Sequence, residues 1–127
     1  MVGNDSANLL SGGGGRDVLI GGLGPDTLAG GDGDDLLVGG AAALDAAGLA
    51  AVRGEWSRTT AASAYADRVA NLTAGTGLPP GVKLDNTTVA DDTKRDSLIG
   101  GAGLDWFLTS ALDVVKDLVG EEVRSPI

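Results

Sequence analysis

The feature that most constrains this chain is a nine-residue period. Residues 12–20 read GGGGRDVLI, 21–29 read GGLGPDTLA and 30–38 read GGDGDDLLV. Residues 3–11, GNDSANLLS, are a degenerate copy. Far downstream 100–108 read GGAGLDWFL, preceded by DDTKRDSLI at 91–99. The shared pattern is G-G-x-G-x-D-x-U-x, where U is large and apolar. Position 6 is Asp17, Asp26, Asp35, Asp96 and Asp105, with Asn8 in the degenerate copy. Position 8 is Leu10, Leu19, Leu28, Leu37, Leu98 and Phe107. A flexible glycine-rich linker has no reason to keep an apolar residue there.

Glycine at positions 1, 2 and 4 lets the first six residues turn tightly with positive φ. The remaining x-U-x makes a strand about 10 Å long, with U pointing inward and its neighbours outward. Successive strands then fall on opposite sheets, and turns on the same side recur every second repeat. The expected fold is mainly β: a right-handed parallel β-roll with a small α-helical insertion and a C-terminal cap. Stacking sets Asp17 beside Asp35 and Asn8 beside Asp26. Carboxylates paired without basic partners repel unless they are protonated or hold a metal. The turns aim backbone carbonyls into the same gap. Six to eight carboxylate and carbonyl oxygens form a Ca²⁺ donor set, which the stricter octahedron of Mg²⁺ suits less well.

The pattern resembles the RTX family, the hemolysin-type calcium-binding repeats, over 3–38 and 91–108. The resemblance implies a calcium-loaded β-roll in a bacterial protein exported by type I secretion machinery. Carried over residue by residue, it makes Asp17, Asp26, Asp35, Asp96 and Asp105 carboxylate ligands. It assigns carbonyl ligands to Gly13, Gly15, Gly22, Gly24, Gly31, Gly33, Gly101 and Gly103. Asn8 is neutral, so a site using it is expected to be weaker. The turn after Val38 has no acid at position 6, and Asp91 and Asp92 stand where 91–99 lacks glycines. They are expected to supply the missing oxygens. Asp32 and Asp34 are extra acids within a turn, expected to be solvated.

Charge and composition narrow the alternatives. Acids outnumber bases 18 to 9, which argues against nucleic acid or an anionic membrane surface as partner. Histidine and cysteine are absent, excluding disulfides, Cys/His zinc sites, thiol nucleophiles and His-based triads. No apolar run is long enough for a membrane helix, and the first residues do not read as a signal peptide. No stretch reads as a phosphate loop, and Asp32 to Asp35 lacks the distal Glu of an EF-hand.

The charge is also unevenly placed. The acidic flanks 1–45 and 91–127 enclose a near-neutral, Ala-rich middle, the pattern of an insertion into one structure. We divide the single domain into roll repeats at 3–38, a helical insertion at 39–86, last repeats at 87–108 and a C-terminal segment at 109–127. The spacing predicts a helix over 41–56, with Leu49, Val52 and Trp56 on one face. Ser57 to Thr60 breaks it, and a second helix runs over 61–73 with Tyr65, Val69 and Leu72 together. Gly75 is a C-terminal stop, a turn follows at 77–81, and 82–84 and 87–89 are short β candidates. If the insertion keeps the winding in phase, 87–89 is the next roll strand. Turn 90–96 then stacks on 30–35, turn 100–105 on 39–44, and Asp35 lies between Asp17 and Asp96. Trp56, Tyr65 and Trp106 are expected where the helices meet the roll, with Phe107 inside it. In the C-terminal segment, Leu112, Val115 and Leu118 have helical spacing, while Val114 and Val115 fit a strand equally well. This segment reads either as a cap on an open roll end or, by the resemblance, as a secretion signal. The arrangement resembles the C-terminal module of large bacterial RTX proteins.

The functional expectation is a calcium-binding module, not an enzyme. It would fold on binding Ca²⁺ outside the cell or at the bacterial surface and serve secretion and folding of a larger exported protein. The alternative is an adhesive, surface-layer or self-assembling interaction module, with self-association as its mark.

Overall fold

The computed structural model describes residues 1–58, 64–77 and 80–127. The period appears as short strands: β1 (Leu9–Gly14), β2 (Val18–Ile20), β3 (Thr27–Asp32) and β4 (Leu36–Val38) before the insertion. After it come β7 (Ser97–Ala102), β8 (Trp106–Thr109), β9 (Val114–Val115) and β10 (Val123–Pro126). The insertion holds β5 (Ala41–Ala42), α1 (Ala46–Trp56), α2 (Tyr65–Ala74) and β6 (Val89–Ala90). The chain alternates between two parallel sheets, a first ordered β1-β3-β7-β9 and a second ordered β10-β8-β4-β2.

Register follows position 8. Leu10 aligns with Leu28 and Leu28 with Leu98 in the first sheet; Leu19 aligns with Leu37 and Leu37 with Phe107 in the second. All of them point between the sheets. Leu19, Leu28, Leu37, Leu98 and Phe107 form one buried cluster, joined at its ends by Leu10 and Val115.

The outer faces differ. On the first sheet the residues flanking position 8 meet solvent, Leu9 at 77% exposure. On the second they do not. Ile20, Leu36, Val38, Trp106 and Leu108 are buried in a second cluster with Val52, Trp56, Tyr65 and Leu72 of the helices. Trp56 lies 5.9 Å from Trp106 and 6.0 Å from Tyr65 between ring centroids. The aromatics thus meet where the sequence placed them, and the helices turn one outer face into core.

The insertion departs from the in-phase expectation. The chain leaves the second sheet after β4 and re-enters the first at β7, so the insertion takes the place of one turn. Consequently Thr27 pairs with Ser97 and Leu36 with Trp106. Residues 87–89 are not a roll strand: Val89–Ala90 pairs antiparallel with Ala41–Ala42, closing the neck of the insertion. That pairing also holds Ala41 and Ala42 extended, so α1 starts later than expected, after Asp45, whose side chain accepts the Gly48 N–H. Helix α2 is described from Tyr65 and ends at Gly75, in the left-handed region at φ 72°. Residues 59–63, at the expected break and second-helix start, and Leu78 and Pro79 of the expected turn lie outside the described residues. Residues 82–84 form no strand. In 109–127 the helical spacing is not used: β9 extends the first sheet and β10 the second.

Deleting an inward side chain leaves a cavity between two sheets that cannot collapse independently. Leu37→Ala should cost about 2–5 kcal/mol, whereas the exposed Leu9→Ala should cost under about 0.5 kcal/mol. Denaturant unfolding in saturating calcium measures both.

Candidate metal centre

The turns gather along two edges. On the first edge lie turns 12–17, 30–35 and 100–105; on the second lie 3–8, 21–26, 91–96 and the short turn before β9. Position 6 builds a ladder along each. On the first edge the Asp17 N–H donates to Asp35 Oδ1 and the Asp35 N–H to Asp105 Oδ1, both at 2.8 Å. On the second, Asn8 N–H donates to Asp26 Oδ1 and Asp26 N–H to Asp96 Oδ1, both at 2.7 Å. The Asp96 N–H continues to Asp113 Oδ1 at 3.0 Å. Asp17 stands beside Asp35 and Asn8 beside Asp26, as the period requires. Asp35 lies between Asp17 and Asp105, not Asp96, because the insertion replaces a single turn.

Asp26, Asp35, Asp96 and Asp105 each spend Oδ1 on the ladder, and Asp17 opens it with its N–H. A second oxygen is stranded: Oδ2 of Asp17, Asp26, Asp35, Asp96 and Asp105 is buried without a hydrogen-bond partner among the described residues. A buried carboxylate oxygen left alone costs several kcal/mol. The glycines show what these oxygens face. A Cβ on Gly30 would lie 2.2 Å from Asp35 Oδ2 and 2.6 Å from the Gly100 carbonyl oxygen. Position 1 is therefore glycine to leave room for oxygens, not for positive φ. Positions 2 and 4 carry the positive φ: at Gly31 φ is 116°, and a Cβ would lie 1.9 Å from the Gly13 carbonyl oxygen. Gly33 packs likewise on Gly15, Gly101 on Gly31, Gly103 on Gly33, and Gly22 and Gly24 on Asn4 and Ser6. Carboxylate and carbonyl oxygens thus line each stacked pair of turns.

The family model of the RTX calcium-binding nonapeptide repeat (4 copies) matches residues 1–28, 11–43 and 84–111, more than half of the chain. The chain belongs to this family. No curated protein matches the chain as a relative. RTX nonapeptide repeats bind Ca²⁺, and the residues present fit that ion. The donors are all oxygen, in a chain with no histidine or cysteine, which suits a hard cation. Among the described residues no three acidic side chains converge, so each ion must draw on backbone carbonyls as well as carboxylates. RTX repeats are typical of secreted proteins, and the family is a structural rather than catalytic module. No described helix is long and apolar enough to cross a membrane.

Other acids of this RTX chain accept hydrogen bonds around the turns. Asp92 Oδ2 accepts the Gly24 N–H at 2.6 Å and its Oδ1 the Lys94 N–H at 2.9 Å. Asp91 Oδ1 accepts the Thr93 N–H at 2.8 Å. Together they shape a turn without glycine, in which Thr93 takes φ 62°. Asn8 has no stranded oxygen: its Oδ1 accepts the Asn4 N–H at 2.6 Å. Asp34, expected to be solvated, is a junction: Oδ1 accepts the Leu104 N–H at 3.0 Å and Oδ2 pairs with Arg68 at 2.6 Å.

Two site-like residues escaped the sequence reading. Asp113 ends the second-edge ladder, and its Oδ2 is satisfied by the Ser110 N–H at 2.7 Å. Its signal was present, since Asp113-Val114-Val115 keeps the D-x-U spacing without glycines. Asp117 accepts the N–H groups of Gly100 and Gly101, each at 2.9 Å; no sequence pattern marks it.

Burial pushes the carboxyls of Asp35 and Asp96 up to about 7 and that of Asp105 up to about 6, with neighbouring acids adding to the shift; Asp26 is raised by burial too. Without metal, the folded chain therefore holds more protons than the unfolded one. Its stability should be fully present below about pH 4 and fall as pH rises toward about 7. In chelator, the far-UV β signal should be stronger at pH 4.5 than at pH 8, and saturating calcium should abolish the difference. A second test uses glycine. Gly31→Ala should prevent calcium-loaded folding, whereas Gly54→Ala, in α1 with open space around it, should stabilise by about 0.5–1 kcal/mol. Thermal melts in calcium compare them.

Proposed function

We propose that this chain is a non-enzymatic calcium-folded module serving export and folding of a larger secreted protein. The observation that carries the proposal is the set of five buried, partnerless Oδ2 atoms. We assign Asp17, Asp26, Asp35, Asp96 and Asp105 as carboxylate ligands, with the turn-glycine carbonyls of Gly13, Gly15, Gly22, Gly24, Gly31, Gly33, Gly101 and Gly103 completing the shell. Asn8 makes the first second-edge site weaker. Asp91 and Asp92 shape their turn through hydrogen bonds from backbone N–H groups. Bound Ca²⁺ supplies the positive charge that the acidic edges lack.

The mechanism rests on the chain's own residues. Ionised Asp35 and Asp105 repel across stacked turns, and the glycines raise the entropy cost of ordering them. At cytosolic calcium the roll stays open and passes a narrow export channel. At extracellular millimolar calcium, sites of roughly 10⁻⁴–10⁻³ M fill, and binding to the folded state alone drives folding by mass action. We take the winding as right-handed, the insertion as 39–90 and the last repeats as 91–108. Segment 109–127 serves as cap: β9 and β10 cover the last roll strands. Arg124 holds its turn by donating to Thr109 Oγ1 at 2.7 Å and to the Ser110 carbonyl at 3.2 Å.

Calcium titration of metal-stripped protein, followed by circular dichroism, tests this reading. We expect a cooperative gain of β signal at submillimolar to millimolar calcium and little response to magnesium. Asp35→Asn should weaken the response about tenfold or more. No response up to about 10 mM would contradict the proposal, and calcium-dependent growth of light scattering would favour self-assembly instead.

A further inference from the structure

The insertion is rooted on one edge of the roll and fastened to the other. Its neck, Ala41–Ala42 with Val89–Ala90, stands at the second edge, where the chain leaves after β4 and returns before β7. From there the helices cross the outer face of the second sheet and reach the first edge. Trp56 Nε1 donates to the Asp34 carbonyl at 2.8 Å. Tyr65 Oη donates to the Asp105 carbonyl at 2.6 Å and accepts the Val123 N–H at 2.8 Å. The buried Arg68 pairs with Asp34 Oδ2 at 2.6 Å and lies 5.0 Å above the Trp56 ring. Arg16 approaches the same Asp34 oxygen at 3.8 Å and donates to the Arg58 carbonyl at 2.6 Å.

The bonds that Trp56, Tyr65 and Arg68 make to Asp34 and Asp105 land on one pair of turns. Asp34 immediately precedes Asp35, its Oδ1 takes the Leu104 N–H, and Leu104 immediately precedes Asp105. Side chains from both helices therefore fix the backbone on which two stranded carboxylates stand. Among the described residues the second edge is backed by the neck, through Gly39 and Gly40, and not by the helices. Its residues at the same repeat position, Ala7, Pro25 and Arg95, carry no hydrogen bond to α1 or α2 among the described residues. The two edges share a ladder but differ in support.

We propose that Trp56, Tyr65 and Arg68 are positioning residues for the first-edge calcium site between Asp35 and Asp105. Calcium binding there and docking of the helical insertion are one step; the second-edge site between Asp26 and Asp96 fills without it. This rests on the calcium reading of the same turns. The prediction it adds is that the two helices set the affinity of one edge alone. A single well-placed hydrogen bond to the site's backbone is worth about tenfold in affinity.

The test is a calcium titration followed in parallel by calorimetry and tryptophan emission, with circular dichroism at saturating calcium to confirm folding. The wild-type chain should bind in two phases, with the emission change confined to one. Asp105→Asn should abolish that phase and the emission change together. Asp96→Asn should abolish the other phase and keep the emission change. Tyr65→Phe should weaken the emission-linked phase about tenfold and leave the other in place, and Arg68→Lys, which keeps the charge but loses the planar fork, should act the same way. The proposal is overturned if both variants shift the two phases equally or shift neither. It is equally overturned if Asp96→Asn removes the emission change. A wild-type chain that binds no calcium overturns the underlying reading instead.

Discussion

The hydrogen bond from the backbone N–H of Asn8, Asp17, Asp26, Asp35 and Asp96 to Oδ1 of the carboxylate in the next stacked turn is the interaction on which the rest of this fold depends. It ties turn to turn along both edges at 2.7–3.0 Å. By occupying one oxygen and orienting the other, it also creates the need for a cation. A carboxylate whose Oδ2 is buried against glycine Cα atoms and backbone carbonyls can be protonated or can hold a metal. The roll is thus a structure whose turns are incomplete by themselves, while its apolar interior is complete. Leu19, Leu28, Leu37, Leu98 and Phe107 fill the space between the sheets once the edges are closed.

The insertion supplies what a short roll lacks. Each repeat buries one residue between the sheets, which is little apolar area for a chain of this size. Covering the second sheet with two helices buries Leu36, Val38, Trp106 and Leu108 as well. The first sheet stays uncovered on its outer face. The helices also carry polar groups to the first edge, joining the apolar core to the acidic turns. At the end of the roll the same logic runs without metal. Asp113 finds the Ser110 N–H for its second oxygen, and Arg124 satisfies nearby carbonyls. The turn before β9 is the last of its edge, and polar side chains of the tail satisfy it.

Much of this was legible in the repeat. A period of nine with U at position 8 dictates alternation between two sheets and an inward column, and Leu10 through Phe107 keep it. The position-6 column named the five residues with stranded oxygens. The insertion's phase was not legible, because local pattern does not say how many turns a 50-residue excursion replaces; the pairing of Leu36 with Trp106 settled it. Asp34 looked like one more surface acid because its partner Arg68 lies far away in sequence and its company is tertiary. The tail misled by periodicity. Leu112, Val115 and Leu118 suit a helix, but an open sheet edge offered Val114 and Val115 a ladder that isolated helical spacing could not match.

The central claim is that the five free Oδ2 atoms are calcium ligands. Anomalous diffraction from crystals grown in calcium tests it most directly. The account predicts ions between stacked turns on both edges, with Oδ2 of Asp35 and Asp96 at 2.3–2.6 Å, about the usual calcium–oxygen distance. Ions bound elsewhere on the acidic surface, with these oxygens still facing only glycine and carbonyl, would contradict it.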